Sequence, residues 1–371
     1  MGLAMILLIM CRVRNRGTQI RNVYCIGTFT LGGFPMTPRE LMKATLHFEN
    51  KTGRVPRDLW TLPWAEKHEG EMLKKIVTQF PNDLLTAPTR LHTPSIEQGN
   101  PCAVGIYIDP WGCKFTNIQD GVIGEVKEGL VKDEDWDDWE NVHFPTELLT
   151  FDADTVNAFC KNTDKYVKAG CCPRPFEQLQ FIRTTEELLA DLVDPPKNML
   201  KFMDKMFAFY CELMEKWAKT DVDALMFMDD WGSQNSLLIS PAAWDQYFRP
   251  FYKEFIDIAH RNGKDIFMHS DGNTLMIYPK LIELGLDAFN SQLFCMGLDN
   301  LEQYRGKITF WGEIDRQHLL PHGTTKDIDD AVNEVYSKLW ANGGCIAQCE
   351  FGPGAKGENV YQVYESWNSL R

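Results

Sequence analysis

The sequence lacks a stretch that would hold it in a membrane. Its apolar run at residues 3–10 (LAMILLIM) is eight residues long, well short of the roughly 20 that cross a bilayer as a helix. Arg12, Arg14, Arg16 and Arg21 follow that run instead of preceding it, and no small-residue cleavage site is evident. A secretory signal has the opposite order. Paired cysteine spacing is also missing. Eleven Cys in a chain of 371 residues do not form a secreted disulfide framework and point to a reducing, cytoplasmic setting. Basic charge is not in excess: the net charge of −14 excludes an electrostatic footprint for nucleic acid or an anionic membrane. No GxGxxG opens a βαβ unit, and neither a P-loop nor a GxSxG turn occurs. Nucleotide-binding and serine-hydrolase chemistry therefore lose their usual anchors.

What the chain does have is apolar content, at 44% hydrophobic residues with 11 Trp, enough for one large core. Residues 1–35 carry no acid and read as an extension, with Met36 opening the single domain at 36–371. Thr37 can then cap a helix, with Pro38 at its first position and Glu40 at its third, close to a capping box.

The C-terminal half alternates short apolar runs with helical stretches, the pattern of a parallel α/β fold. Residues 224–228 (ALMFM) end in Asp229-Asp230, and residues 265–268 (DIFM) in His269-Ser270-Asp271. Residues 287–289 end in Asn290-Ser291-Gln292, residues 307–311 (KITFW) in Gly312-Glu313, and residues 345–347 in Gln348-Cys349-Glu350. Earlier strands are expected near 59–62 and 166–170. Between the strands, Ser240-Pro241 opens a helix expected to run unbroken to Gly263. Others are expected from Gly272-Asn273 to Leu284 and from Thr324 to Trp340. Polar residues at so many strand ends predict a (β/α)₈ TIM barrel with its site at the C-terminal mouth. Residues 100–148, aromatic and acidic, are expected to form an insertion covering one end.

His269 and Cys349 offer imidazole and thiolate, the donors zinc prefers, and a catalytic zinc takes three protein ligands. Asp271, Glu350 or Glu313 would complete the set; His269 and Asp271, two apart on a strand, share a face. Asp229, Gln234 and Glu313 are candidate catalytic groups, with Asp230, Trp231, Gln292 and Gln348 as substrate contacts. Adjacent Asp229 and Asp230 point to opposite faces, so only one need enter the site.

With these residues laid out, the chain resembles the uroporphyrinogen decarboxylase superfamily, and most of all its branch of corrinoid-dependent methyltransferases. The resemblance runs from MTPRELMKATLHFENKTGRVP at residues 36–56 through Asp229-Asp230-Trp231-Gly232-Ser233-Gln234 and Leu238-Ile239-Ser240-Pro241. It continues with His269-Ser270-Asp271-Gly272, Gly312-Glu313-Ile314-Asp315, Leu320-Pro321-His322-Gly323-Thr324 and Glu358-Asn359-Val360. It implies a (β/α)₈ barrel. The zinc methyltransferases of that superfamily carry His-x-Cys on one strand and a Cys on the last. Here His269 and Cys349 match and Asp271 replaces the middle Cys. The decarboxylases' arginine-rich segment after Arg-Val-Pro is replaced by residues 57–64 (RDLWTLPW), and their Gly-His-Gly by Gln348-Cys349-Glu350. The resemblance thus implies a zinc-dependent methyltransferase acting on a small methylated or methoxylated compound, as in O-demethylation. No Asp-x-His-x-x-Gly corrinoid motif occurs, so the corrinoid would come on a partner protein. The alternatives are uroporphyrinogen decarboxylation and a non-catalytic small-molecule-binding barrel built around Trp111 and Trp136.

Overall fold

The computed structural model describes residues 8–14, 20–26, 36–88 and 94–370. The chain divides into two compact units, Met1–Thr37 and Pro38–Arg371. In the first, Leu8–Arg14 pairs antiparallel with Ile20–Ile26. The rest of the 1–35 extension lies outside the described residues.

The second unit is an eight-stranded parallel barrel. Its strands are β1 (Arg57–Thr61), β2 (Leu84–Thr86), β3 (Tyr166–Lys168), β4 (Ala224–Met228), β5 (Asp265–Ser270), β6 (Ala288–Ser291), β7 (Thr309–Trp311) and β8 (Cys345–Phe351). The ladder runs β1-β8-β7-β6-β5-β4-β3-β2, leaving one seam between β1 and β2. There the side chain of Asn82 substitutes for a peptide, accepting from the Leu59 N–H at 2.8 Å and donating to the Leu59 carbonyl at 3.3 Å. Seven of the eight strands are foreshadowed by apolar runs. The exception is β2, only three residues (LLT) long, too short for any periodicity to register.

Strand parity sorts the side chains. Leu84, Tyr166, Ala224, Met226, Phe267, Ala288, Trp311 and Ile346 form an inner cluster, joined by Met42 and Leu46 from helix Pro38–Leu46. Arg39 and Lys43 of that helix pair with Asp223, just ahead of β4, at 2.9 and 3.1 Å. They hold the helix across the N-terminal end as a plug. The intervening residues, such as Leu225, Phe227, Ile266, Met268, Cys345, Ala347 and Cys349, belong to the larger cluster between strands and outer helices. The helix Lys197–Ala218 shows why: Phe202, Met206, Phe209, Leu213 and Trp217 recur at helical spacing and are all buried, an apolar stripe facing the sheet.

Two expectations are corrected. The long helix from Ser240 is two helices, Pro241–Tyr247 and Arg249–Arg261, broken at Phe248. Pro250 lacks the N–H to continue the first helix and suits the opening turn of a second. The insertion at 100–148 contains a three-stranded antiparallel sheet, but its aromatic residues pack on the outer helices instead of across an end. Trp111 is 4% exposed and meets Phe209 edge-on at 5.5 Å and Tyr210 at a tilt at 5.8 Å. Trp136 is fully buried and donates to Asp191 at 2.8 Å. Neither is free to face a ligand. Among the described residues no helix is long and apolar enough to cross a membrane.

Candidate functional site

The mouth is built from the residues just past the strands. His269 on β5 faces the lumen, and its orientation is fixed by a chain of contacts. Asn290 on β6 donates its amide N–H₂ to the Trp311 carbonyl, so its Oδ1 is left for His269 Nδ1, at 2.6 Å. Nδ1 is then the donor, and in the neutral ring Nε2 keeps its lone pair. That lone pair points toward Asp230 Oδ1 at 3.5 Å and Asp271 Oδ1 at 3.7 Å. The ligand atoms of Asp230, His269 and Asp271 all lie within 4.8 Å of one another.

A second shell of charge surrounds the three. Arg316 pairs with Asp271 and lies 3.6 Å from Glu313 and 3.3 Å from Glu350. Gln292 clasps the β5 turn, donating to Asp271 at 3.3 Å and accepting from the Gly272 N–H at 3.1 Å. The Asp271 N–H in turn donates to Asp230 at 2.9 Å. Glu313 is 3% exposed, and burial drives its carboxyl well above the ordinary range. Asp230 is also raised, chiefly by loss of solvent, with His269 opposing and Asp271 adding to the shift. A cleft lined by Gln234, Gln292, Phe294, Cys295, Glu313 and Arg316 opens beside the cluster.

Sequence reasoning missed several members. Glu177, in the first turn of helix Pro175–Arg183, senses Asp230, His269 and Asp271. Burial foremost pushes it up to about 7. Its Oε2 has no hydrogen-bond partner. The available signal was its place eleven residues beyond β3's start, in the turn where a barrel helix begins. Arg316 and Asn290 were visible at strand ends, but their partners lie on other strands.

Five expected residues are placed elsewhere or only partly join. Cys349 does not stand beside His269. It is fully buried in the outer layer, 3.7 Å from the Tyr364 hydroxyl, its thiol pushed up to about 12 by burial. On β8 it is Ile346, Gln348 and Glu350 that take the inward parity, so Cys349 must point out. Glu350 reaches the cluster only through Arg316. Asp229 also points outward: its carboxylate accepts from the Glu177 N–H at 2.8 Å and from Tyr252. Trp231 stacks on Phe176 at 4.0 Å and donates to Tyr252 at 2.9 Å, fully buried. Gln348 is fully buried on the lumen side, and among the described residues neither polar atom of its amide has a hydrogen-bond partner.

The fold has solved relatives. A methyltransferase from Methanosarcina mazei aligns at 14% identity over 90% of this chain and 99% of its own, with a TM-score of 0.65. A glycosylated endo-β-1,4-xylanase from Gloeophyllum trabeum aligns at 10% identity over 87% and 99%, with a TM-score of 0.44. No curated protein sequence matches the chain at a significant level. The model of the uroporphyrinogen decarboxylase family matches residues 104–369, which include every strand from β3 to β8 and all the mouth residues described above, and the chain belongs to that family.

Proposed function

We propose that the protein is a zinc-dependent methyltransferase that takes a methyl group from a small methylated or methoxylated compound and passes it to a separate corrinoid protein. The observation that carries this is the Asp230–His269–Asp271 cluster at the mouth of a barrel of this family. Its spacing suits a metal. Two donors each about 2.1 Å from a tetrahedral ion lie about 3.4 Å apart, close to the 3.5 and 3.7 Å separating His269 Nε2 from the two carboxylates. Asp230 takes the place that sequence reasoning gave to Cys349. Bound there, zinc supplies Lewis-acid polarisation of the oxygen from which the methyl group leaves.

The chain's own residues do the rest. His269 binds through Nε2 because Asn290 holds Nδ1, a carboxamide in the orienting role such ligands need. Asp271 binds through Oδ1 while Arg316 occupies Oδ2. Gln234 and Gln292 orient the substrate in the cleft. Glu313, buried and driven toward its protonated form, holds a proton for the demethylated oxygen. One imidazole with two carboxylates makes an oxygen-rich donor set, which favours an oxygen-bearing substrate over a thiol. The corrinoid protein docks over the mouth, and free cysteines throughout the described residues fit a cytoplasmic setting. Uroporphyrinogen fits the mouth poorly. Arg174 and Arg316 already face carboxylates of the chain, and Asp230, Asp271 and Glu350 add negative charge to the mouth. A polycarboxylate would be repelled.

Metal analysis of purified protein tests the proposal. Wild type should hold stoichiometric zinc and His269→Ala none. A wild type that stays zinc-free after zinc supplementation would overturn it.

A further inference from the structure

The seam between β1 and β2 is more than a gap in the ladder. It opens into a cavity of about 360 Å³, lined among others by Asp58, Trp60, Leu62, Thr86, Lys168 and Glu350. Lys168, at the end of β3, is 9% exposed. Its ammonium touches Met226 Sδ at 3.4 Å and stands 5.0 Å from the Trp311 ring and 5.6 Å from the Trp60 ring. Among the described residues no carboxylate forms an ion pair with it. Asp58 is near enough for its charge to favour the ammonium, yet both of its oxygens are held by other donors. One oxygen accepts from the indole N–H groups of Trp60 and Trp311 at 2.9 and 3.0 Å, and the other from Asn82 at 3.2 Å. A buried ammonium held by a thioether and two ring faces is costly to keep charged, and desolvation lowers its proton affinity.

We infer that the seam cavity is a binding site for the carboxylate of a small ligand with a flat aromatic body, with Lys168 as the anion's partner and Trp60 as the stacking face. A ligand carboxylate would supply the paired hydrogen-bonding charge the ammonium lacks. Trp60 is half-buried, and its ring lies 5.1 Å from that of His269, so a ligand lying on it reaches the His269 cluster. That the ligand is the methyl donor rests on the function proposed above; the anion site itself does not.

The test uses the full chain with benzoate as probe and benzamide as its neutral counterpart, by titration calorimetry, on zinc-free and zinc-supplemented protein. Benzoate should bind at least about tenfold more tightly than benzamide. Lys168→Met should erase that preference while keeping a wild-type thermal melt. Glu350→Gln, which removes a like charge from the cavity rim, should tighten benzoate without altering the fold. Equal binding of the two probes to wild type, no benzoate binding at millimolar concentration, or a preference that survives Lys168→Met would each overturn the site. Because the probes are measured with and without zinc, loss of the zinc reading leaves this result standing, and the converse holds.

Discussion

Asp229 and Asp230 are neighbours in sequence, yet they live in different media. Asp230 sits at the rim of the lumen beside His269, part-exposed and within ligand reach. Asp229 is fully buried behind the same strand, capping a helix and accepting from Tyr252. On β8, Cys349 and Glu350 divide the same way: the thiol faces the outer helices, and the carboxylate meets Arg316. The lumen holds groups whose partners are incomplete, such as Gln348, Lys168 and Glu177. In the outer layer Asp229, Trp231 and Tyr252 are tied to one another by hydrogen bonds and packing. Chemistry needs the former and stability the latter, and one step along a strand moves a residue between them.

The sharpest way to break this contrast is at the metal. His269→Ala should abolish zinc binding outright, and Asn290→Ala, touching only Nδ1, should weaken zinc by about 10–100-fold. Competition with a chromogenic chelator measures both. Next, Asp229→Ala should destabilise the fold by about 2–5 kcal/mol, because it strands the buried Tyr252 hydroxyl and the Glu177 N–H. Asp230→Ala should cost little stability yet lose zinc. Denaturant melts paired with metal analysis separate them, and the reverse pattern would invert the assignment of faces.

Glu177 gives a pH test. Its folded value of about 7 lies above the ordinary 4.5, so the folded state holds the proton more tightly than the unfolded one. Its stabilising contribution is full below about pH 4.5 and is lost as pH rises through about 7. Glu177→Gln should therefore raise the melting temperature of zinc-free protein at pH 8 and approach wild type at pH 5. A pH-independent difference would sink that account. The smallest effect belongs to Cys349→Ala, expected to cost about 1 kcal/mol of packing while zinc content stays unchanged.

Much of the fold was legible because each strand's apolar run stops at polar residues. The helix at Thr325–Leu339 was legible because Thr324 and Asp327 form a capping box. The site was legible only in part. His269 and Asp271, two apart in sequence, lie together at the mouth, and Gln292 and Glu313 line the cleft beside them. Cys349 was misplaced because its thiol was read as a ligand, although β8 (CIAQCEF) alternates an apolar face (Cys345, Ala347, Cys349, Phe351) with a more polar one (Ile346, Gln348, Glu350), and that alternation puts the thiol on the outer side. Glu177 went unseen because Asp230, His269 and Asp271, the groups it meets at the mouth, lie far from it along the chain.

The sequence by itself determined the order of strands and helices, and with it the barrel and the end at which the mouth lies. Those follow from local composition: apolar runs, caps and breakers. Only the tertiary structure decided which member of each adjacent pair faces the lumen, that Asn290 aims His269, that Arg316 gathers Asp271, Glu313 and Glu350, and that Lys168 stands at the seam between Met226 and two indole rings. Each of these depends on how strands distant in the chain are registered and tilted against one another, and that relation is fixed by packing the whole barrel at once.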